Sequence, residues 1–174
     1  MDETALFKLT HGLYVLGAMD GERPVGSIVD GVMQVANKPI VVALSCHNRS
    51  YTKECIEKSG KFSLSVLCEN VNPFVVANFG FQSSRTVDKW DNVDYFIEDG
   101  LPFLTSNLAM FEAKVLQVVV YESNTLFLAE VVKSVNRDDG RPLTYNDYRG
   151  YFKNEVIKSF NEYKQQKEKE KTNG

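Results

Sequence analysis

The chain has 174 residues, of which 43% are hydrophobic and 25% charged, and its formal net charge is −3. This length allows one domain with a sizeable core and leaves little room for a second. A molecule with a net negative charge is not attracted as a whole to nucleic acid or to an anionic membrane. We therefore expect neither partner, and we expect any anion site to be local.

Two further features bear on location and redox chemistry. No apolar run reaches the roughly 18 to 20 residues that a bilayer-spanning helix needs, and the acidic start leads into no signal core. These features predict a cytoplasmic protein. Cys46, Cys55 and Cys68 form no C-x-x-C pair, so we expect no metal or iron–sulfur site and no disulfide framework. Redox chemistry would therefore require a bound organic cofactor.

The first third of the chain reads mostly as strands. Residues 13–16 and 24–29 are short apolar runs on either side of the turn Asp20-Gly21, which predicts a hairpin. Residues 40–46 are apolar almost throughout, as expected of a strand buried on both faces.

Helices and strands then alternate. Good capping residues at Ser50 and Thr52 predict a helix that ends at Gly60. Residues 62–67 alternate apolar and small polar side chains, which indicates a half-buried strand. A second helix is predicted from Asn72 to about residue 79, with Gly80 stopping it.

The second half contains a long loop, two strands and a helical tail. Residues 80–107 read as a loop, and residues 113–122 and 125–136 read as long strands. Val156, Ile157, Phe160 and Tyr163 fall on one helical face, which could serve a dimer. The charged run that follows, residues 164–171, favours a solvated helical tail with a frayed end over a binding arm.

These elements predict a mainly β protein, a β-barrel with accessory helices, because the strands lack regular helical crossovers. We expect one barrel domain over residues 1–155 and a charged helical tail over residues 156–174.

The junction between the strand at 40–46 and the next helix is the first candidate site. A helix N-terminus exposes unpaired N–H groups at the positive end of its dipole, and a guanidinium and hydroxyls add donors suited to phosphate. The junction predicts a phosphate cradle, with a plain capped helix as the alternative. Its residues are Ser45, Cys46, His47, Asn48, Arg49, Ser50 and Thr52.

Two other segments could contact a flat ligand. Gly26 and Gly31 bracket a strand-like run, and glycines let a backbone come close to a planar ring; a strand with a bulge is the alternative. Residues 79–90 place two cations, two hydroxyls and the only tryptophan, Trp90, in one loop. That loop is either a phosphate-clasping lid or a plain loop anchored in the core by Trp90.

Reactive side chains form no recognisable catalytic constellation. His11 and His47 are the only histidines, and their spacing supports no Ser-His-Asp or Cys-His arrangement. Neither a P-loop nor a G-x-G-x-x-G motif is present. We predict no catalytic side chain.

Five stretches in series resemble the flavin reductase-like family with the FMN-binding split barrel. The resemblance is nearest to the flavin domain of high-molecular-weight rubredoxins and to flavoredoxins, and it covers about residues 5 to 150 in the right order. The stretches are residues 7–15, 45–62, 78–90, 125–131 and 140–145.

The resemblance implies a six-stranded, Greek-key-like barrel that forms a homodimer and binds FMN, with FAD as an alternative, near the subunit interface. It implies that the junction at residues 45–52 holds the ribityl chain and phosphate, with Arg85 and Lys89 as further phosphate ligands and Phe79 as a further contact. The residues implied along the isoalloxazine ring are Ser27, Ile28, Val29, Asp30 and Gly31.

The implied activity is that of an NAD(P)H:flavin or NAD(P)H:electron-carrier oxidoreductase. Hydride from NADH or NADPH would reach the flavin, and electrons would leave to free flavin, a rubredoxin or a flavo-diiron protein. One alternative is an FMN-binding electron carrier without its own NAD(P)H activity. The other is a non-catalytic binding module with the same barrel.

Two departures from the family pattern bear on these alternatives. Relatives often carry Asn or Ser followed by Thr or Ser where this chain has Asp30 and Gly31, and an anionic Asp30 near the ring would lower the flavin's potential. Asn124 stands where many relatives place a histidine near the nicotinamide, which favours the electron carrier.

Overall fold

A computed structural model describes residues 1–172 of the chain. The helices are α1 (Tyr51–Ser59), α2 (Pro73–Phe81), the single turn α3 (Tyr145–Asp147) and α4 (Lys153–Thr172), with 3₁₀ turns at Glu3–Lys8 and Trp90–Asn92 and a π-helical turn at Tyr148–Phe152. The strands are β1 (Tyr14–Asp20), β2 (Arg23–Val29), β3 (Val32–Asn37), β4 (Ile40–His47), β5 (Lys61–Val66), β6 (Tyr95–Glu98), β7 (Leu101–Leu104), β8 (Ala109–Val120) and β9 (Asn124–Asn136).

Seven strands form one antiparallel sheet in the order β2-β1-β5-β8-β9-β4-β3. Side chains from both halves of this order share one core, since Leu16 of β1, Val25 of β2, Leu44 of β4 and Phe127 of β9 belong to the same buried cluster. The sheet is therefore rolled into a barrel. The predicted mainly β, split-barrel fold is confirmed, with seven strands in the main sheet where six were expected.

β2 and β3 are consecutive in the chain but lie at opposite edges of the sheet. The crossing between them is tight against β4, because Ser45 N donates to Gly31 O at 2.8 Å. A Cβ on Gly31 would come within 2.9 Å of the Ser45 Cβ. Glycine at this position is thus required by the packing of the chain itself.

The predicted hairpin and the first helix are confirmed. β1 and β2 pair around Asp20 and Gly21, where Gly21 has a φ of +62°. α1 begins after Ser50 and ends at Gly60, which adopts the left-handed conformation and closes the helix through its N–H to Ile56 O.

α2 extends two residues beyond its predicted end, through Gly80 to Phe81. Its start matches the prediction, since Asn72 Oδ1 accepts a hydrogen bond from Phe74 N at 2.9 Å. Gly80 does not stop the helix because its φ stays negative, so no left-handed cap forms there.

β4 is less buried than its sequence predicts. Val41 on one face and Leu44 and Cys46 on the other are buried, whereas Ile40, at the start of the strand, is exposed. The remaining side chains between them are half-buried, so the predicted burial on both faces is only partly met.

β5 is more buried than the half-buried strand that its sequence predicts. Its residues Phe62, Ser63, Leu64 and Ser65 are all buried. The strands β6 and β7 form a hairpin, and β7 supplies partners for the serines. Ser63 Oγ donates to Pro102 O, and Ser65 Oγ accepts from Leu104 N.

The same β6–β7 hairpin corrects the predicted loop at residues 80–107. The two strands have four residues each and turn at Asp99 and Gly100, both with positive φ. Such short strands, one of them containing Pro102, give too weak a pattern to be recognised from sequence.

The apolar face of the C-terminal helix packs within the chain. Phe160 meets Phe81 at a centroid distance of 5.4 Å and Tyr163 meets Phe74 at 4.9 Å, so α4 lies against α2. Phe160 and Tyr163 are thus occupied within the chain, whereas Ile157 of the same predicted face is exposed; that this face serves a dimer stays a prediction. The helix runs to Thr172; the last two residues of the predicted tail, 173 and 174, lie outside the described residues.

The division of the chain after residue 155 stays a prediction, although α4 contributes Val156 to the second buried cluster. Within residues 1–172, none of the helices is long and apolar enough to cross a bilayer.

Candidate functional site

A cleft of about 250 Å³ lies between β2, the start of α1 and the segment that follows α2. It brings together three segments that are far apart in the sequence. β2 and the start of α1 form its base, and the segment after α2 covers it. The predicted residues that line it are Ser27, Ile28, His47, Arg49, Ser50, Thr52, Phe79 and Lys89.

The N-terminus of α1 forms one wall of the cleft. Ser50 occupies the N-cap position, yet its side chain makes no capping hydrogen bond. Its backbone N–H donates to His47 O at 2.9 Å, and Arg49 N donates to His47 Nδ1 at 3.1 Å. The first-turn N–H groups and the Ser50 hydroxyl are therefore available to an anion.

Lys89 is a buried cation in this cleft, with 2% of its surface exposed. Its Nζ donates to Gly26 O at 3.0 Å and to Phe79 O at 2.9 Å. None of the ion pairs among the described residues includes it. Burial lowers the pKa of Lys89 to about 8. An ammonium has three N–H donors, so one remains for a ligand.

The loop that covers the cleft is fastened to β2 by Ser84. The buried Ser84 Oγ donates to Gly26 O at 2.8 Å and accepts from Gly26 N at 3.0 Å. Arg23 Nη1 also donates to Ser84 O at 2.8 Å. Since β2 is an edge strand, these bonds satisfy backbone groups that the sheet leaves open.

Trp90 anchors the other end of the same loop. Its ring is fully buried and packs edge-on against Phe79 at 4.8 Å. A Cβ on Gly26 would lie 2.7 Å from Phe79 Cε1, so Gly26 is needed for this packing. The loop is thus anchored in the core by Trp90, as the second of the two alternatives predicts. It also lines the cleft, and a phosphate-clasping role for it stays a prediction.

Arg85 lies on the outer side of the loop. Its guanidinium is ion-paired with Glu54 and stands 4.4 Å from the centre of the Tyr51 ring. The Tyr51 hydroxyl donates to Asp20 Oδ2 at 2.7 Å. Arg85 therefore already has an anionic partner and does not line the cleft.

Two of the predicted residues belong to the barrel core. Val29 and Cys46 are buried in the first core cluster, and burial raises the pKa of the Cys46 thiol to about 12. Such a thiol stays protonated and behaves as a small apolar side chain.

Four more predicted residues lie beyond the cleft lining, at its β3–β4 side: Ser45, Asn48, Asp30 and Gly31. Asn48 binds the β8–β9 turn, since its Nδ2 donates to Tyr121 O at 2.8 Å and its Oδ1 accepts from Thr125 Oγ1 at 2.7 Å. Ser45 accepts a hydrogen bond from Asn124 Nδ2 at 3.2 Å. Asp30 is half-buried at the β2–β3 crossing, next to Gly31.

Six lining residues are not among the individual site residues that the sequence predicts, although five of them lie in the two further segments that it singles out. The hydrogen bonds of Ser84 to β2 depend on tertiary contacts that spacing does not reveal. The six are Gly26, Tyr51, Gly80, Gln82, Ser83 and Ser84.

A larger cavity, of about 520 Å³, lies at the other end of α2. Its lining includes Asp91, Asp94 and Asn72 and no lysine or arginine, so it does not suit an anion. Among residues 1–172, no group of three or more His, Cys, Asp or Glu side chains is arranged to hold a metal ion.

Comparison with known proteins identifies the family. The family described as "Flavin reductase like domain" matches residues 6–154. The chain belongs to this family, which confirms the resemblance in the sequence, and it is an oxidoreductase of the flavin reductase type.

Curated relatives agree with this assignment. The high molecular weight rubredoxin of Moorella thermoacetica is 33% identical over 174 residues, which cover 99% of this chain and 76% of that protein. The ferric-chelate reductase (NAD(P)H) of Archaeoglobus fulgidus is 33% identical over 150 residues, 85% of this chain and 89% of that protein.

Solved structures share the fold. The styrene monooxygenase flavin reductase of Pseudomonas putida S12 aligns with a TM-score of 0.70 at 28% identity, over 81% of this chain and 89% of that chain. An FMN-binding protein from Thermus thermophilus aligns with a TM-score of 0.72 at 23% identity, over 83% of this chain and 85% of that chain.

Proposed function

We propose that the cleft binds FMN and that the protein passes reducing equivalents from NADH or NADPH through this flavin to an acceptor. The observation that carries the proposal is the buried Lys89, which has no ion pair in the described part of the chain, beside the open N-terminus of α1. A buried charge without a counterion is costly unless a ligand supplies one, and a flavin phosphate would do so.

The residues present fit a flavin mononucleotide. Lys89, Ser50 and the first-turn N–H groups of α1 would hold the phosphate, with Arg49 as a further cation. Ser27 and Ile28 of β2, which line the same cleft, would face the ring. FAD remains the alternative cofactor. Its second phosphate would then lie outside the part of the cleft that Lys89 lines.

The bound flavin would supply the hydride and electron chemistry, so the protein's task is positioning, electrostatics and access. Lys89 and the α1 N-terminus would fix the phosphate, while Ser84 keeps the covering loop against β2. We assign no side chain as an acid or base, since hydride transfer requires none.

We further propose a homodimer formed through large apolar side chains that the sheet strands leave exposed. Among them are Met33 of β3, Ile40 of β4, and Leu116, Val118 and Val120 of β8. Burying such side chains against a second copy of the chain would be favourable. Sedimentation should show a dimer for the wild type and a monomer for Leu116→Asp, whereas a monomeric wild type would refute the dimer.

The electron carrier without NAD(P)H activity is the second candidate function. It is favoured by Asn124, whose amide is bound to Ser45 at the position where relatives often have a histidine. The binding module is favoured by the acid at Asp30. Free flavin, a rubredoxin and a flavo-diiron protein remain the proposed acceptors, and the cytoplasmic location stays a prediction.

One anaerobic titration separates these functions. The protein is incubated with FMN, freed of excess cofactor and recorded from 300 to 600 nm before and after NADH or NADPH is added. Flavin absorbance that bleaches with either nucleotide supports the reductase. Absorbance that bleaches only with dithionite supports the carrier, and the absence of flavin absorbance supports the binding module.

A further inference from the structure

Three lysines of α4 form a stripe beside the flavin cleft. Lys164, Lys167 and Lys171 are spaced three and four residues apart, so they lie on one face of the helix. All three line a shallow groove together with Gln82 and Val87 of the covering loop. We call these three residues the lysine stripe.

The stripe is held next to the cleft by its own helix. Phe160 and Tyr163 pack on α2, which fixes the register of α4 against the cleft wall. Gln82 lines both the flavin cleft and the groove of the stripe, and its amide donates to Asn78 Oδ1 at 2.9 Å. The two sites are therefore contiguous through one anchored residue.

The stripe carries an excess of positive charge on an acidic protein. The chain has a net charge of −3, and Glu168 is the carboxylate that lines the groove. Lys167 pairs with Glu170 at 3.1 Å. Among residues 1–172, Lys164 and Lys171 have no carboxylate within ion-pair distance. An acidic partner repelled by the rest of the surface would be attracted here.

We infer that the lysine stripe is the docking surface for an acidic one-electron carrier protein that takes electrons from the flavin. This inference rests on the proposed function, since it needs a reducible flavin in the cleft. Two oxidised carriers would each gain one electron from one two-electron-reduced flavin, and two protons would pass to solvent.

The form of the stripe favours a protein over a small anion. The three side chains are exposed and extend over about 10 Å of helix at 1.5 Å per residue. A small anion is held by converging, fixed donors, as at Lys89. Spread surface charge instead steers a transient electron-transfer partner and acts mainly on its association rate.

The test uses two matched double charge reversals on the same helix. K164E/K171E changes the two lysines of the stripe that have no ion pair within residues 1–172. K158E/K169E changes two exposed lysines on another face of α4. Each flavin-loaded protein is reduced anaerobically with NADH, or with dithionite, and mixed in a stopped-flow instrument with an oxidised rubredoxin of net negative charge. Molecular oxygen, an uncharged acceptor, reports whether the reduced flavin itself is unchanged.

At low ionic strength we expect K164E/K171E to lower the rubredoxin association rate constant about tenfold or more, with a weaker dependence on salt. K158E/K169E should stay within about twofold of the wild type, and the oxygen reaction should be equal in all three. Equal effects of both reversals, or no effect of K164E/K171E, would overturn the inference. A wild type that holds reducible flavin but fails to reduce rubredoxin would overturn it too.

Carbodiimide cross-linking gives a readout that needs no electron transfer. In the FMN-loaded protein, mass spectrometry should find rubredoxin carboxylates joined to Lys164, Lys167 or Lys171. Cross-links confined to other lysines would refute the docking surface. A raised KM for NADPH in K164E/K171E, together with normal rates of rubredoxin reduction, would refute it too, because it would assign the stripe to nucleotide binding. A protein without bindable flavin is recognised beforehand from its spectrum, and it would refute the proposed function.

Discussion

Lys89 and Arg85 lie four residues apart in the loop that covers the cleft, and their environments are opposite. Lys89 is buried, with two backbone carbonyls as its hydrogen-bond partners. Arg85 is exposed, paired with Glu54 and stacked near Tyr51. Both are cations that the sequence makes equal candidates for a phosphate.

The difference shows that the partners of a cation decide its role. Arg85 gives up an existing ion pair if it binds a ligand, whereas Lys89 gains the counterion that it lacks. Since an exposed ion pair contributes little stability and an unpaired buried charge costs much more, we assign the phosphate to Lys89. The following predictions test this contrast.

Lys89→Met should have the largest effect. Loss of a charge-assisted hydrogen bond of about 1.5–3 kcal/mol should weaken FMN binding on the order of 10- to 100-fold, measured by fluorescence titration. Riboflavin, which lacks the phosphate, should bind both proteins alike.

The pH dependence of FMN binding should follow Lys89. Its pKa is about 8 in the flavin-free protein, so the charged form dominates at pH 7 and is lost as pH rises through 8. The FMN dissociation constant should therefore rise about tenfold between pH 7 and pH 9. A flat profile in the wild type, or the same rise with riboflavin, would show that Lys89 does not contact the phosphate.

Ser84→Ala should have an intermediate effect, because it frees the covering loop from Gly26 without removing a charge. We expect FMN affinity to fall about 3- to 10-fold, the consequence of losing buried hydrogen bonds of about 1 kcal/mol each. Amide exchange should become faster at residues 82–90 while the barrel strands stay protected. Ser134→Ala, an exposed serine of β9, serves as the control and should change neither quantity.

Arg85→Ala should have the smallest effect on FMN, within about threefold, since its ion pair is exposed. Glu54→Ala removes the other partner and should be equally mild. If Arg85→Ala weakened FMN as strongly as Lys89→Met, the contrast between the two cations would be wrong.

Local signals explain which parts of the fold the sequence predicts. The β1–β2 hairpin has an Asp-Gly turn, and α1 has a serine at its N-cap position and a terminal glycine, so both are recognised from a few neighbouring residues. The β6–β7 hairpin was missed because its strands are short, and its burial depends on contacts with Ser63 and Ser65. The burial of β5 follows from the same contacts and was missed with it.

In the candidate site, too, local features are predictable from the sequence and features that depend on tertiary contacts are not. The junction at residues 45–52 was recognisable because a strand, a basic residue and a helix start follow one another in the chain. That Asn48 and Cys46 turn away from the cleft depends on the β8–β9 turn and the barrel core. The distinction between Lys89 and Arg85 depends on Gly26, Phe79 and Glu54, which are distant in sequence.

A crystal structure of the protein with FMN tests the central claim most directly. We expect the phosphate at the N-terminus of α1, with an oxygen about 3 Å from Lys89 Nζ and the Arg85–Glu54 pair intact. A phosphate bound to Arg85 with that pair broken, or located outside the cleft, would contradict the assignment.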